Sequence, residues 1–180
     1  MTDAAGPSRP RRRPLPLTVR VEVLTEAGYR CAVPTCRQIL AIDIHHLVEV
    51  AEGGGNKPDN LIALCPTCHA LFHRGIIHRE SLNVWKTALR SLTEAFGGAS
   101  VDDLLFISLL RPRQLGISGD GVLRYSRLIA GGLVSFGLLV QNGPILLYEV
   151  KLTERGQRLV DAWKEGGYQG LAEALGQSST

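Results

Sequence analysis

The sequence predicts an α+β protein in which a small unit of two short strands and a helix precedes a second α+β part. Three observations predict this. Four cysteines occur as two short-spaced pairs. Two short apolar stretches flank a turn-rich segment, and the second of them leads into a helical pattern. A long amphipathic pattern over 80–96 then ends at Gly97 and Gly98, which mark the expected boundary between the two parts.

The bulk composition is that of a folded protein without a membrane segment. The chain has 180 residues, of which 44% are hydrophobic and 21% charged, enough for one ordinary domain or two small ones. No apolar run approaches the roughly 20 residues that cross a bilayer, and the N-terminus lacks the apolar stretch of a secretory signal. We therefore expect a cytoplasmic protein with no membrane partner.

Residues 1–16 are rich in proline and arginine and are expected to form a disordered basic tail. This segment holds too little apolar surface to offset the entropy cost of ordering it. It accounts for the whole formal charge of +3, through four arginines and one aspartate: Arg9, Arg11, Arg12, Arg13 and Asp3. Either the tail adds nonspecific attraction to phosphates or it is only a solvated extension.

Between the tail and residue 97 the sequence predicts a compact order of short elements. A short helix is expected over 18–27, stopped at Gly28. The β-rich stretch 39–47 predicts a first strand, 52–60 is turn chemistry, and Leu61–Leu64 predict a second strand. Pro66 suits a first helical position, so a helix is expected from there to a stop at Gly75.

The cysteines predict a structural metal site. Cys31 and Cys36 are separated by four residues, and Cys65 and Cys68 by two, so each pair lies on a turn that points both sulfurs at one ion. No cysteine is left over, and without a secretory signal disulfides or free core thiols are the weaker alternatives. We therefore predict one structural zinc ion that takes no part in the chemistry.

Four of the five histidines form a second candidate group. His69 and His73 are four positions apart, so they lie on one helix face and can reach a common ion. His45 and His46 are adjacent on a strand, where side chains alternate between faces, so they should have different roles. Taken alone, either pair is more often ordinary packed or surface histidine.

The stretch IDIHHLVEVAEGGGNKPDNLIALCPTCHALFHRG resembles the signature of HNH endonucleases, the ββα-metal family. The resemblance covers about 18–75 and the helix that follows. It implies that His45, His69 and His73 bind a catalytic cation and that His46 is the general base. Asn60 matches the family's central asparagine, which holds the active-site loop and helps orient the base.

The resemblance also implies the chemistry and the cofactors. A neutral imidazole accepts a proton from water near neutral pH, and a divalent cation stabilises the charge that develops on the leaving 3′ oxygen. Many relatives carry aspartate at the position of His45, whereas the all-histidine form resembles colicin-type DNases. Nitrogen ligands favour Zn²⁺, Ni²⁺ or Mn²⁺, and Mg²⁺ is accepted at cellular excess, so the identity of the cation stays open.

Residues 99–168 resemble a winged helix-turn-helix domain. Asn142 and Gly143 suit the turn of the wing, and Thr153 suits the N-cap of the helix after it. Helices are expected over 101–110, 125–136 and 153–163, and 169–180 is expected to be a tail. Four arginines make DNA targeting one use of this part, with packing or dimerisation as the other: Arg111, Arg113, Arg124 and Arg127.

The function predicted from the sequence is a metal-dependent endonuclease that hydrolyses phosphodiester bonds in DNA, in a defence, restriction or mobile-element setting. A homodimer or a regulatory protein partner stays open. The alternative is a noncatalytic zinc-dependent DNA-binding or regulatory protein that uses the same fold as a scaffold. His46 separates the two predictions, because a binding module has no need of a base at that position.

Overall fold

The computed structural model describes residues 14–110 and 115–175, so most of the predicted basic tail lies outside the described residues. Within these ranges no helix combines the length and the apolar character needed to span a membrane. The helices are α1 (Leu17–Glu26), α2 (Pro66–His73), α3 (Arg79–Phe96), α4 (Gly98–Leu109), α5 (Gly119–Val122), α6 (Ser126–Ala130), α7 (Glu154–Glu165) and α8 (Tyr168–Leu175). The strands are β1 (Asp43–His46), β2 (Leu61–Leu64), β3 (Leu115–Ile117), β4 (Val134–Asn142) and β5 (Ile145–Leu152).

The first part contains the β-β-α order that the sequence predicts. β1 and β2 pair antiparallel, with Asp43 opposite Leu64 and His46 opposite Leu61. All four residues of β2 are buried, whereas in β1 only His45 is buried. Asp43 is exposed, and Ile44 and His46 are half-buried.

Helix α3 follows this unit and packs against α4, α7 and α8, with a smaller contact to α1. Leu82, Trp85, Leu89 and Leu92 are buried along α3 at three- and four-residue steps. The amphipathic pattern predicted over 80–96 is thus confirmed, with Trp85 in the core. The helix ends at Gly97, whose φ of 85° suits a residue without a Cβ, and α4 begins at the next residue.

In the second part, three antiparallel strands form a sheet in the order β3-β5-β4. β4 and β5 make a hairpin whose last pair is Asn142 with Ile145, so the turn consists of Gly143 and Pro144, one position later than predicted. Thr153 caps α7, because its side chain accepts a hydrogen bond from the amide of Gly156. The predicted N-cap is thus confirmed.

One predicted helix was wrong in part. The sequence analysis placed a helix over 125–136, but α6 ends at Ala130 and β4 begins at Val134. Gly131 and Gly132 separate the two, and Gly132 has a φ of 67° that a helix does not accommodate. The short strand β3 was missed altogether, since three residues centred on Gly116 carry almost no strand signal.

The C-terminal end is more ordered than the predicted tail. Residues 168–175 form α8, in which Leu171 is buried, and only 176–180 lie outside the described residues there. Side chains from both parts join one cluster of buried residues, which includes Leu61, Leu92 and Leu159. The division of the chain into separate domains stays a prediction.

Candidate metal centre and active site

The four cysteines come together at the junction between β2 and α2. Their sulfur atoms all lie within 4.8 Å of one another. Cys65 is the N-cap of α2, and its sulfur accepts a hydrogen bond from the amide of Cys68 at 3.5 Å. The segment with Cys31 is fixed beside β2, because the amide of Ala32 donates to the carbonyl of Ala63 at 2.8 Å.

The donor set fits a structural zinc ion. No disulfide joins the four thiols, and the Sγ atoms of Cys36 and Cys65 are 3.7 Å apart, too far for an S–S bond. Burial raises the pKa of Cys31 to about 11, and burial together with Cys31 raises the pKa of Cys68. Since zinc binds thiolates, its binding would displace protons from these thiols and make the junction depend on the ion.

The second cluster joins β1 to α2 through three imidazole rings. The nearest nitrogen atoms of His45, His69 and His73 all lie within 4.8 Å of one another. The Nε2 atoms of His69 and His73 are 3.0 Å apart on one face of α2. The ring centroid of His45 is 4.8 Å from that of His69, so β1 delivers its side chain directly against this face.

His45 has the properties of a ligand rather than of a packed core histidine. It is 5% exposed and lies edge-on to Phe72, yet its Nε2 atom has no hydrogen-bond partner among the described residues. Burial, with the charges of His69 and the other histidines, lowers the pKa of His45 to about 4. The ring is therefore neutral at neutral pH and offers a lone pair, which fits a divalent cation held by three imidazoles.

His46 is not a member of this cluster, in line with the different role expected for it from strand alternation. Its ring is more exposed than that of His45, and its Nε2 atom lies 2.9 Å from Oδ1 of Asn56. Asn56 does not stand out in the sequence. The residue lies in the turn-rich segment 52–60, and its only signal is an amide side chain directly after three glycines.

Asn60 closes the loop between β1 and β2 with three hydrogen bonds. Its Oδ1 accepts from the amide of Val48 at 2.8 Å, and its Nδ2 donates to the carbonyls of Val48 and Gly55, each at 2.9 Å. Among the contacts found, none joins Asn60 directly to His46. Asn60 thus lies where it can hold the loop, and the partner of His46 is Asn56.

Several other polar residues of the first part stand outside the two clusters. His78 is the exposed residue before α3, and Asp43, Lys57 and Arg74 are exposed. Arg20, which the sequence analysis passed over, lines a surface pocket together with His69 and Asp43. The exposed guanidinium of Arg20 is therefore near the histidine cluster.

Comparison with known proteins finds similarity over the segment that carries both clusters. A family model described as HNH endonuclease matches residues 31–75. Anaredoxin from Nostoc sp. strain PCC 7120 is 45% identical over 49 residues, which are 27% of this chain and 62% of that protein. The type IV methyl-directed restriction enzyme EcoKMcrA from Escherichia coli strain K12 is 41% identical over 32 residues, 18% of this chain and 12% of the enzyme.

The chain thus covers less than two thirds of the length of both curated relatives. No solved structure matches it. The match to the family model ends at Gly75, before α3 and the whole of the second part. Residues 31–75, with the four cysteines and the three clustered histidines, are similar to the HNH endonuclease family.

Proposed function

We propose that the protein is a metal-dependent HNH endonuclease that hydrolyses phosphodiester bonds in DNA. One observation carries the proposal: three imidazoles converge on a common point while a fourth, His46, stands beside them without joining the cluster. The family match over 31–75 and the restriction enzyme among the relatives support it. The relative's name also favours a defence or restriction setting over other roles.

In this proposal the cysteine cluster has a structural role and the histidine cluster a catalytic role. Cys31, Cys36, Cys65 and Cys68 hold a structural zinc ion that joins β2 to α2 and thereby directs His69 and His73 toward His45. The three histidines hold the catalytic cation, which would be Mg²⁺, Mn²⁺, Ni²⁺ or Zn²⁺. When bound, that cation supplies Lewis-acid stabilisation of the charge on the scissile phosphate and on the leaving oxygen.

His46 is the proposed general base. Its imidazole accepts a proton from a water molecule, and the hydroxide oxygen forms a bond to phosphorus. The bond between phosphorus and the 3′ oxygen breaks, and that oxygen takes up a proton from solvent. The products are a 3′ hydroxyl and a 5′ phosphate. Asn60 contributes by holding the loop that faces the base.

The second part is proposed to be a winged-helix-like module that brings DNA to the nuclease site. Its hairpin of β4 and β5, followed by a capped helix, supports this reading. Two of the four arginines considered for DNA contact, Arg111 and Arg113, lie outside the described residues. Arg124 is paired with Asp103 through two hydrogen bonds, which leaves Arg127 as the better candidate on the described surface.

The test is cleavage of supercoiled and linear DNA by the purified full chain across a panel of divalent metals, with and without a chelator. We expect nicking that requires a metal and that falls by about 10²- to 10⁴-fold in His46→Ala, the range that a general base contributes. His78→Ala is the matched control, because His78 is an exposed histidine outside both clusters. DNA retention without nicking by the wild-type protein would favour the noncatalytic binding protein instead.

A further inference from the structure

His46 makes a side-chain contact that the ligand pattern does not require. Its Nε2 atom lies 2.9 Å from Oδ1 of Asn56, ten positions later in the chain. An amide oxygen only accepts hydrogen bonds, so the proton of the neutral ring lies on Nε2 and is donated to Asn56. Nδ1 then keeps its lone pair, because the bond made by one ring nitrogen decides which tautomer is present.

The position of Asn56 in the loop is fixed through the preceding residue, Gly55. Nδ2 of Asn60 donates to the carbonyl of Gly55 at 2.9 Å and to that of Val48 at 2.9 Å, so the start and the middle of the loop are tied together. Gly54 lies so close to Val48 that a Cβ at position 54 would be 1.8 Å from the Val48 oxygen. The backbone at Asn56 is therefore held at a set distance from the end of β1.

The side chain of Asn56 is exposed, as is its hydrogen bond to His46. An exposed contact of this kind contributes little to the stability of the fold. The contact instead restrains the imidazole ring of His46. Without it, an imidazole at the end of a strand is free to rotate and to exchange tautomers.

We infer that Asn56 is a positioning residue: it fixes the tautomer and ring orientation of His46, so that Nδ1 is the nitrogen that accepts the proton of the attacking water. Asn60 acts on His46 only indirectly, by holding the loop that carries Asn56. The catalytic consequence rests on the proposed function, whereas the state of the His46 ring is a property of the protein alone.

The experiment reads the ring directly by long-range ¹H–¹⁵N NMR of the zinc-loaded, ¹⁵N-labelled full chain at a pH of about 8.5, where an ordinary imidazole is neutral. The variants are Asn56→Leu, which removes the acceptor, and Asn56→Asp, which keeps an acceptor oxygen in the same place. Lys57→Ala is the control, because Lys57 is the exposed neighbour of Asn56. The DNA cleavage rate is measured on the same four proteins.

In the wild type, Asn56→Asp and Lys57→Ala, we expect His46 to be protonated at Nε2 and unprotonated at Nδ1, with slow exchange of the ring proton with water. Asn56→Leu should show mixed tautomers and fast exchange, with kcat about 10-fold lower or more and KM little changed. An Asn56→Leu protein with the wild-type ring pattern would overturn the inference. A wild-type protein that cleaves no DNA would remove the proposed function. The NMR pattern of the His46 ring would still show whether Asn56 fixes its tautomer.

Discussion

The Nε2 atoms of His69 and His73 face each other at 3.0 Å, one helical turn apart on α2. Neither position suits a histidine whose purpose is packing, because both are more open than His45 and their nitrogens point at one another. Two neutral imidazoles gain one hydrogen bond from this arrangement, whereas a shared cation uses both lone pairs. The spacing of four residues therefore places the two Nε2 atoms where one cation can bind both.

His73→Ala is expected to weaken binding of the catalytic cation. Loss of one of three ligands should reduce metal affinity by at least about 10-fold, since loss of a mere ligand-supporting partner already costs that much. Zinc in the cysteine site should stay bound. Calorimetric titration of the zinc-loaded protein with Mn²⁺ or Ni²⁺ measures the change, and Arg74→Ala, the exposed neighbour, serves as control. Equal affinities in the wild type and His73→Ala would exclude His73 as a ligand.

Removal of the structural zinc is expected to unfold the junction between β2 and α2. The thiols of Cys31 and Cys68 are buried, and without the ion only packing and weak hydrogen bonds to sulfur hold the four sulfurs together. We expect one tightly bound zinc per chain, and a fall in Tm of roughly 10 °C or more on chelation or in Cys31→Ala. Elemental analysis and circular dichroism measure both effects. A metal-free protein with the wild-type Tm would contradict the prediction.

The buried ion pair between Lys86 and Glu26 joins α3 to α1 at 2.7 Å. Lys86→Met leaves the carboxylate of Glu26 without its partner and should cost about 3–5 kcal/mol at pH 7. The double variant Glu26→Leu with Lys86→Met should recover most of that loss. Urea denaturation measures it, with Arg158→Met, from an exposed ion pair, as a control that changes stability by about 1 kcal/mol or less.

The same variant gives a pH dependence with a defined sign. Burial raises the pKa of Glu26, although the hydrogen bond and charge of Lys86 oppose this, and in Lys86→Met the opposing contribution is gone. A carboxyl with a raised pKa in the folded state loses stability as pH rises above its unfolded value of about 4.3. The cost of Lys86→Met relative to the wild type should therefore be larger at pH 7 than near pH 4. A cost independent of pH would show that Glu26 stays hydrated.

Gly54→Ala is expected to disturb the loop without releasing the zinc. A Cβ at this position would be 1.8 Å from the Val48 carbonyl oxygen and 2.8 Å from Nδ2 of Asn60, so the hydrogen bonds of Asn60 must change. DNA cleavage should fall by about 10-fold or more, because a displacement of about 1 Å at a site is costly. Gly55→Ala is the matched control, since a Cβ there meets nothing within 4 Å. Equal cleavage rates for Gly54→Ala and Gly55→Ala would show that the conformation of the loop does not affect activity.

The parts of the site that the sequence predicted are those encoded by local spacing. Four residues on a helix place His69 and His73 on one face, and alternation on a strand separates His45 from His46. The pairing of β1 with β2 then brings the strand and the helix together. The roles assigned to these residues stay predictions, although His45, His69 and His73 do come together.

What the sequence did not predict depends on the path of the chain in three dimensions. The contact of Asn56 with His46 requires the exact course of a glycine-rich loop, and no spacing rule specifies it. Arg20 reaches the pocket beside His69 only because α1 packs near β1. In 125–136, apolar residues continue from α6 into β4, so periodicity alone did not separate a helix from a strand.

Helix α3 lies outside the segment that holds every proposed ligand. Two of its arginines form ion pairs with the loop between β1 and β2. Arg79 pairs with Glu52 at 2.8 Å, and Arg90 pairs with Asp59. The same helix also packs against α4 and α7 in the second part of the chain. A fragment ending at residue 75 would thus lack both ion pairs that join the loop to α3.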